Sequence, residues 1–118
     1  MTDPRHHRID YVELPAVSAA ALAEAKRFYA GVFGWSYQDW GAEYVDTRTS
    51  GVSSGISVDV ARQAKPLPVI FAEDLEGARA RVLDGGGTLT KEIFSFPGGR
   101  RFQFLDPAGN ELAVWSDR

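Results

Sequence analysis

The order strand, helix, three short strands occurs twice along the chain, and this doubled order constrains the fold more than any single motif. In the first half, polar and apolar residues alternate from Ile9 until Pro15 ends the strand. Apolar residues then recur every three or four positions between Ser18, a suitable N-cap, and Gly34, which predicts an amphipathic helix. Three β-like runs follow at 35–40, 43–49 and 55–60.

The second half repeats this order after the polar segment 61–66, which a proline closes. An apolar run at 68–72 leads to a helix that Asp74 can cap and that Gly85-Gly86-Gly87 ends. Three more strands are predicted at 88–96, 100–105 and 111–115. The last two flank Asp106-Pro107-Ala108-Gly109, whose residues suit a type I turn, so they should form a hairpin. The sequence therefore predicts an α+β fold with an architectural repeat, since few residues are identical between the halves.

Length and composition exclude several classes of protein. The 118 residues suffice for one packed domain. The chain has no cysteine, which excludes a disulfide framework, a thiolate metal site and a cysteine nucleophile and favours a reducing, cytoplasmic location. The net charge of −3 and the scattered arginines argue against nucleic acid as a partner. No apolar run approaches the roughly 18 residues of a membrane span, so no membrane partner is expected.

Alternation along the predicted strands separates residues that should face the helices from those that should face away. The helix side is expected to hold Val12, Leu14, Val69, Phe71, Leu112 and Val114. The opposite side is expected to hold Tyr11, Glu13, Ser57, Ile70, Glu111 and Trp115. In the first helix, the residues expected in or near the core are the aromatic Phe28, Tyr29 and Phe33.

Three short motifs add to the doubled order. They are Phe28-Tyr29-x-x-Val32-Phe33-Gly34-Trp35 at the end of the first helix, Gly85-Gly86-Gly87 after the second, and Asp106-Pro107-x-Gly109-Asn110 before the last strand. With these motifs the chain, from about Ile9 to Trp115, resembles the glyoxalase/bleomycin-resistance/dioxygenase superfamily, also called vicinal oxygen chelate. The resemblance implies two βαβββ modules side by side, whose curled mixed sheets enclose a cleft with the helices outside.

The resemblance also implies a domain organisation and an oligomeric state. We expect a polar N-terminal tail at 1–8 and a single glyoxalase-like domain at 9–118. Within that domain, module one covers about 9–60, the linker 61–66 and module two 67–116. A homodimer is expected, because this superfamily usually pairs and because a second copy commonly covers exposed strand edges in so small a domain.

Metal-dependent members of the superfamily place four ligands, usually His and Glu, on the first and fourth strands of each module. Carried over by motif, these positions fall on Tyr11, Ser57, Pro68 and Ala113. Proline and alanine have no ligating side-chain atom, and serine and neutral tyrosine are poor ligands for a divalent ion. The two histidines, His6 and His7, lie in the predicted tail, where a lone pair is usually solvated. We therefore expect no metal and no cofactor.

Two groups of residues are candidates for the site. Glu13 and Tyr11 share one predicted strand face, where Glu13 could serve as a base or anchor a cation, although a structural salt bridge, for example with Arg101, is the alternative. The full set predicted to contact a ligand is Tyr11, Glu13, Tyr44, Ser57, Phe94, Phe96, Gln103 and Trp115. The aromatic members could stack on a flat ligand, or fill the curled sheet or a subunit contact. The acids expected at the rim or outer face are Asp46, Asp59 and Glu92.

The sequence leaves three functions open. The first, which we favour because inward histidines are missing, is metal-independent binding of a small organic molecule, with Trp115 as the main contact to an uncharged or weakly cationic aromatic ligand. The second is a lyase, isomerase or dioxygenase that uses Glu13 and Tyr11, or an atypical metal site with Asp59 and Glu111. The third is a structural or regulatory module with a collapsed cleft. Whether a reaction is catalysed stays open.

Overall fold

The computed structural model describes residues 2–59 and 64–118, and it contains the predicted order of elements twice. The first half contains β1 (Ile9–Pro15), α1 (Ala19–Phe33), β2 (Gln38–Asp39), β3 (Tyr44–Thr47) and β4 (Ser53–Ser57). The second half contains β5 (Leu67–Phe71), α2 (Leu75–Asp84), β6 (Thr88–Phe96), β7 (Gly99–Leu105) and β8 (Glu111–Ser116). The predicted α+β class with two βαβββ modules is therefore confirmed. The end of the third predicted run, at 60, and the linker residues 61–63 lie outside the described residues.

The chain divides into two compact units that follow the modules closely. The first unit extends from Tyr11 to Leu67, and the second contains the residues up to Asp10 together with those from Pro68 onward. In the described part of both units, neither helix is long and apolar enough to cross a membrane.

In the first unit, α1 packs on a mixed sheet of strand order β2-β3-β4-β1. β1 and β4 are parallel with Leu14 opposite Ile56, and β3 is antiparallel to β4 with Val45 opposite Ile56. These residues join Leu22 of α1 in one apolar core. The predicted ends of the helix are confirmed, because the Ser18 hydroxyl accepts a hydrogen bond from the Ala21 N–H and Gly34 takes a left-handed conformation with φ of 75°.

Two aromatic residues of α1 are exposed, which corrects the sequence prediction. Phe28 is 56 % exposed and Phe33 is 60 % exposed, whereas Tyr29 packs against the core. The stripe of α1 that faces the sheet passes through Tyr29, and successive helical residues are rotated by about 100°, so Phe28 falls beside the stripe. The exposed rings contact other rings instead: Phe33 lies 5.6 Å from Trp35, and Phe28 lies 5.4 Å from Tyr29, between ring centroids.

In the second unit, α2 packs on a mixed sheet of strand order β5-β8-β7-β6. β5 is parallel to β8, while β7 is antiparallel to both β8 and β6. The core between α2 and the sheet contains Leu75 and Ala78 of the helix with Phe102, Phe104 and Val114 of the hairpin. The Asp74 carboxylate caps α2 by accepting a hydrogen bond of 3.0 Å from the Gly77 N–H, as the sequence predicted.

The face assignment of β5 from the sequence is wrong. Ile70 packs against the α2 core, while Phe71 lies opposite Trp115 and contacts its ring on the face away from the helix. Val69, paired with Ala113, shares that face with Phe71. The run that forms β5 is apolar throughout, so when alternation was extended to it no polar residue fixed which positions face the helix.

Residues 3–8, treated from their polarity as a tail, lie along β5 in the second unit. The His7 N–H donates to the Phe71 carbonyl at 2.7 Å, and the Phe71 N–H donates to the Arg8 carbonyl at 3.0 Å. His6 forms an isolated parallel bridge with Phe71, and its Nδ1 accepts a hydrogen bond from the Glu73 N–H at 3.1 Å. Backbone pairing, which polarity does not reveal, thus holds this segment.

Candidate functional site

The eight residues predicted to contact a ligand all lie on strand faces directed away from the helices. The core residues Leu14, Val45 and Ile56 fix the helix side of the first unit, and their strand neighbours point the other way. Those neighbours are Tyr11, Glu13, Tyr44 and Ser57. In the second unit, Phe102 and Val114 fix the helix side in the same manner. The residues on its opposite face are Phe94, Phe96, Gln103 and Trp115.

In the first unit, two tyrosine hydroxyls meet over a glycine. Tyr11 and Tyr44 share a hydrogen bond between their hydroxyl groups. Gly55 lies beneath this pair, because a Cβ atom there would overlap the Tyr11 hydroxyl and lie 2.8 Å from that of Tyr44. The strand register sets Gly55 opposite both Glu13 on β1 and Asp46 on β3. The absence of a side chain at this position lets the two rings lean toward each other across β4.

Burial keeps Tyr11 of this pair neutral. Burial raises the pKa of Tyr11 above its ordinary value of 10.0, and the neighbouring Tyr44, Asp46 and Glu13 raise it further. At neutral pH Tyr11 is therefore a phenol that can donate a hydrogen bond but cannot act as a base. The carboxylate on the same strand face is that of Glu13, which is only 3 % exposed. A buried carboxylate beside a fixed phenol is an arrangement that can support acid–base chemistry.

Ser57 and Glu92 make structural contacts, whereas Asp46 was wrongly expected at the rim or outer face. The buried Ser57 hydroxyl accepts a hydrogen bond of 3.1 Å from the Asp59 N–H at the end of β4. Glu92 accepts two hydrogen bonds, of 2.6 and 2.7 Å, from the guanidinium of Arg79 on α2. Asp46 instead lies on the same face as Tyr11, opposite Gly55.

A chain of polar side chains crosses the corresponding face of the second unit. Arg101 donates to the Gln103 carbonyl oxygen at 2.9 Å, and the Gln103 amide donates to Glu111 at 3.1 Å. The Thr90 hydroxyl donates to the same carboxylate oxygen at 2.6 Å. Gln103 is 0 % exposed, so its amide is held in one orientation between a cation and an anion.

Aromatic rings surround Trp115 at one end of this face. The indole N–H donates to the Asp10 carboxylate at 3.0 Å, and the ring lies edge-on to Phe71 with centroids 5.1 Å apart. The centroid of the Phe96 ring lies 6.3 Å from that of Trp115. Further along the face, the Arg101 guanidinium lies 5.4 Å from the centroid of the Phe94 ring. Trp115 thus combines a fixed orientation with apolar neighbours.

Sequence patterns did not identify Asp10 and Phe71 as site residues. Asp10 had no predicted role, and Phe71 was expected on the helix side, because the apolar run around it has no polar residue to fix the phase of the alternation. The pairing of β5 with β8, in which Phe71 lies opposite Trp115, brings the two rings together. That pairing joins distant parts of the chain, so no local pattern could reveal it.

The side chains at the metal-ligand positions of the superfamily do not fit a divalent ion. The Tyr11 hydroxyl is hydrogen-bonded to that of Tyr44, and the Ser57 hydroxyl accepts a hydrogen bond from a backbone N–H. Pro68 and Ala113 have no ligating side-chain atom. Within residues 2–59 and 64–118, no group of three or more histidine, aspartate or glutamate side chains could hold a metal ion.

No protein-family model and no curated protein matches the sequence. Solved structures do match. The Mn(II)-bound glyoxalase from Novosphingobium aromaticivorans is 23% identical with a TM-score of 0.66, over 92% of this chain and 38% of that one. A glyoxalase/bleomycin resistance protein/dioxygenase superfamily member from Vibrio splendidus 12B01 is 16% identical with a TM-score of 0.61, over 90% of this chain and 96% of that one.

A third similar structure is methylmalonyl-CoA epimerase from Mycobacterium tuberculosis, 13% identical with a TM-score of 0.65, over 98% of this chain and 92% of that one. All three resemble this protein in fold. The chain therefore has the fold of the glyoxalase/bleomycin resistance/dioxygenase superfamily, as the sequence motifs predicted. At these identities the likeness concerns the fold, and the site has to be interpreted from its own residues.

Proposed function

We propose that the protein binds a small organic molecule through an aromatic ring on the helix-opposite face of the second unit. The observation that carries this proposal is the position of Trp115, whose indole is held by Asp10 and Phe71 on the same face as the Arg101–Gln103 pair. Small-molecule sites combine apolar and aromatic side chains with a few fixed polar groups that orient the ligand. An indole with a fixed orientation loses little conformational entropy when a flat ring stacks on it.

The binding is proposed to need no metal ion. The support is the chemistry of the four positions at which metal-dependent superfamily members hold their metal. Pro68 and Ala113 have no ligating side-chain atom, and a neutral Tyr11 bonded to Tyr44 is a poor ligand for a divalent cation. We place this function in the cytoplasm, since a chain without cysteine has no need of an oxidising compartment.

A second candidate function is catalysis by a lyase, isomerase or dioxygenase of the same superfamily fold. The observation that favours it is the Tyr11–Tyr44 pair beside the buried Glu13. A neutral phenol can stabilise negative charge that develops on a substrate oxygen, and the Glu13 carboxylate can accept a proton. Turnover of a bound ligand that is lost in Glu13→Gln, with ligand affinity unchanged, would favour this candidate over binding alone.

We further propose that the protein forms a homodimer through the exposed face of α1. This face is self-complementary, since Phe28 lies toward one end of the helix and alanines such as Ala20 and Ala23 lie toward the other, all of them exposed. Two antiparallel copies of α1 would set the ring of each copy against the alanines of its partner. The same arrangement would bring the exposed Glu24 of one copy near Arg27 of the other, as a two-fold axis requires.

The binding proposal is tested by replacing Trp115. A flat aromatic ligand is first found by calorimetric screening against the untreated protein, and its affinity is measured again after treatment with EDTA. Ring stacking on tryptophan contributes on the order of 1 kcal/mol in addition to the free energy of burying apolar area. Because Trp115→Ala removes both contributions, it should weaken binding about tenfold or more. Trp115→Phe retains a ring and should lose less, and Trp40→Ala, an exposed tryptophan of the first unit, is the matched control. Binding abolished by EDTA but unchanged in Trp115→Ala would refute the proposal.

A further inference from the structure

The N-terminal segment places a cation on the aromatic pair of the second unit. The guanidinium carbon of Arg5 lies 3.9 Å from the centroid of the Phe71 ring and 5.7 Å from that of Trp115. A cation within about 6 Å of a ring centroid is attracted by the negative face of the ring. Phe71 is 0 % exposed, while the Arg5 side chain is 38 % exposed, so the guanidinium forms the outer layer over this ring.

Acidic side chains and a second arginine surround this guanidinium, and the guanidinium carbon of that arginine, Arg118, lies 5.6 Å from the centroid of the Phe71 ring. Asp117 accepts from it at 3.0 Å, and Asp3, on the same segment as Arg5, accepts at 2.7 Å. Asp10 fixes the Trp115 indole, and the charge of Arg5 acts on the Asp10 carboxylate, whose pKa is raised above its ordinary value mainly by burial. We call Phe71, Trp115, Asp10 and Asp117 the cation seat. All four belong to parts of the chain other than the segment 3–8.

The segment that carries Arg5 is held mainly by side-chain contacts, which include hydrogen bonds of Arg81 to His7 at 3.3 Å and of Arg118 to Asp3 at 3.2 Å. Two backbone hydrogen bonds join it to Phe71, and the Glu73 N–H donates to His6 Nδ1 at 3.1 Å. The Asp3 N–H also donates to the Glu73 carboxylate. Short terminal segments with few backbone hydrogen bonds open at a lower free energy than the core of a sheet. Departure of the segment would remove Arg5 and Asp3 and leave the rings and carboxylates of the cation seat in place.

We propose that the cation seat is a binding site for a planar amidinium or guanidinium group of a ligand, and that Arg5 occupies it within the same molecule. This inference rests on the proposed function, because Trp115 belongs to both, and it specifies the cationic part of the ligand. A ligand that competes with Arg5 binds with an affinity reduced by the small fraction of molecules in which the seat is open. Only a ligand that binds the seat tightly enough to displace Arg5 is therefore retained, and such a ligand has to match a guanidinium in shape and charge.

The test compares benzamidine, which is cationic at neutral pH, with its neutral isostere benzamide. Binding is followed by the ¹⁵N-labelled indole N–H resonance of Trp115, identified by its loss in Trp115→Phe. Arg5→Ala should bind benzamidinium about tenfold more tightly than the wild type, which corresponds to about 1.4 kcal/mol, and benzamide should gain less. Arg5→Lys, which keeps a cation on the segment but loses the planar guanidinium, should bind benzamidinium with an affinity between those of the wild type and Arg5→Ala. Arg8→Ala removes a neighbouring arginine and is the matched control.

Two results would overturn the cation seat. The first is equal affinity of benzamidinium for the wild type and Arg5→Ala, or no binding to either at about 1 mM, the weak end of the usual affinity scale. The second is an equal gain for benzamide and benzamidinium in Arg5→Ala. Arg5→Met, which preserves the length of the side chain, repeats the measurement if the alanine variant is unstable. Neutral ligands that still lose tenfold in affinity on Trp115→Ala would leave the proposed function intact, so the two failures are distinguishable.

Discussion

Replacement of Gly55 by alanine would test whether the Tyr11–Tyr44 pair depends on the absence of a side chain at position 55. The added methyl group would overlap the Tyr11 hydroxyl, lie 2.8 Å from the Tyr44 hydroxyl and lie 3.0 Å from the Tyr11 ring carbon that carries the oxygen. Overpacking of this kind costs about 1–3 kcal/mol, and alanine recovers about 0.4–1 kcal/mol by restricting the unfolded chain. We expect Gly55→Ala to lower the free energy of unfolding by about 1–2 kcal/mol.

A double-mutant cycle separates this clash from other causes. In a Tyr11→Phe, Tyr44→Phe background both hydroxyls are gone, and the remaining ring carbon needs to shift by only a few tenths of an ångström. Gly55→Ala should then cost less than about 0.5 kcal/mol, which gives a coupling of about 1 kcal/mol. Guanidinium chloride unfolding, followed by circular dichroism, measures each corner of the cycle.

Gly31→Ala is the internal control for this cycle, because nothing lies within 4 Å of a Cβ atom added on that exposed turn of α1. This substitution should stabilise the protein by up to about 1 kcal/mol through helix propensity. If Gly55→Ala costs the same in both backgrounds, the hydroxyls are not what the methyl group meets. The geometry assigned to the tyrosine pair, and with it the acid–base candidate, would then be wrong.

Three further predictions concern assembly, pH and metal. Phe28→Glu should convert the proposed dimer into a monomer of 12.9 kDa by light scattering, whereas Val17→Glu, at an exposed position outside the α1 face, should not, and a wild-type monomer at tens of micromolar would refute the dimer. The backbone N–H and the side-chain amide of Asn110 hold the pKa of Asp106 below its ordinary value of 3.8. The contribution of Asp106 to stability is therefore present above that pH and is lost as the pH falls through the lowered pKa. Asp106→Asn should therefore lose less stability than the wild type between about pH 5 and pH 2, and parallel losses would contradict this assignment. Added Mn²⁺ or Zn²⁺ should leave the unfolding temperature unchanged, because Pro68 and Ala113 cannot ligate, and a saturable rise would argue for a metal site.

The sequence predicted those elements whose pattern is local. Ser18, Gly34 and Asp74 cap the ends of their helices, as the sequence predicted. The turn that begins at Asp106 joins two strands in which polar and apolar residues alternate clearly. The same alternation placed Trp115 on the correct face, because polar residues in the last two strands mark the side away from α2. Local backbone preferences and burial agree at these positions, which is the condition under which sequence patterns are reliable.

Non-local pairing decided the features that the sequence missed. Ile70 and Phe71 exchange faces relative to the prediction, because their apolar run carries no mark of orientation and the pairing with β8 sets it. Phe28 satisfies the helical spacing but falls beside the buried stripe, a rotation that depends on how α1 sits on its sheet. The same limit applies to the candidate site, where the contact of Arg5 with Phe71 joins residues with no shared periodicity.

The second unit is assembled from the two ends of the chain, which matters for the order of events during synthesis. Arg5 and Asp117, which share a hydrogen bond, are 112 positions apart in sequence. Residues 3–8 leave the ribosome well before β5 and Asp117, which they contact. Closing so large a loop costs more entropy than closing a hairpin, and that cost has to be met before the contact contributes. Docking of the amino-terminal segment is therefore expected among the last steps of folding, after Phe71 and Trp115 have already packed together.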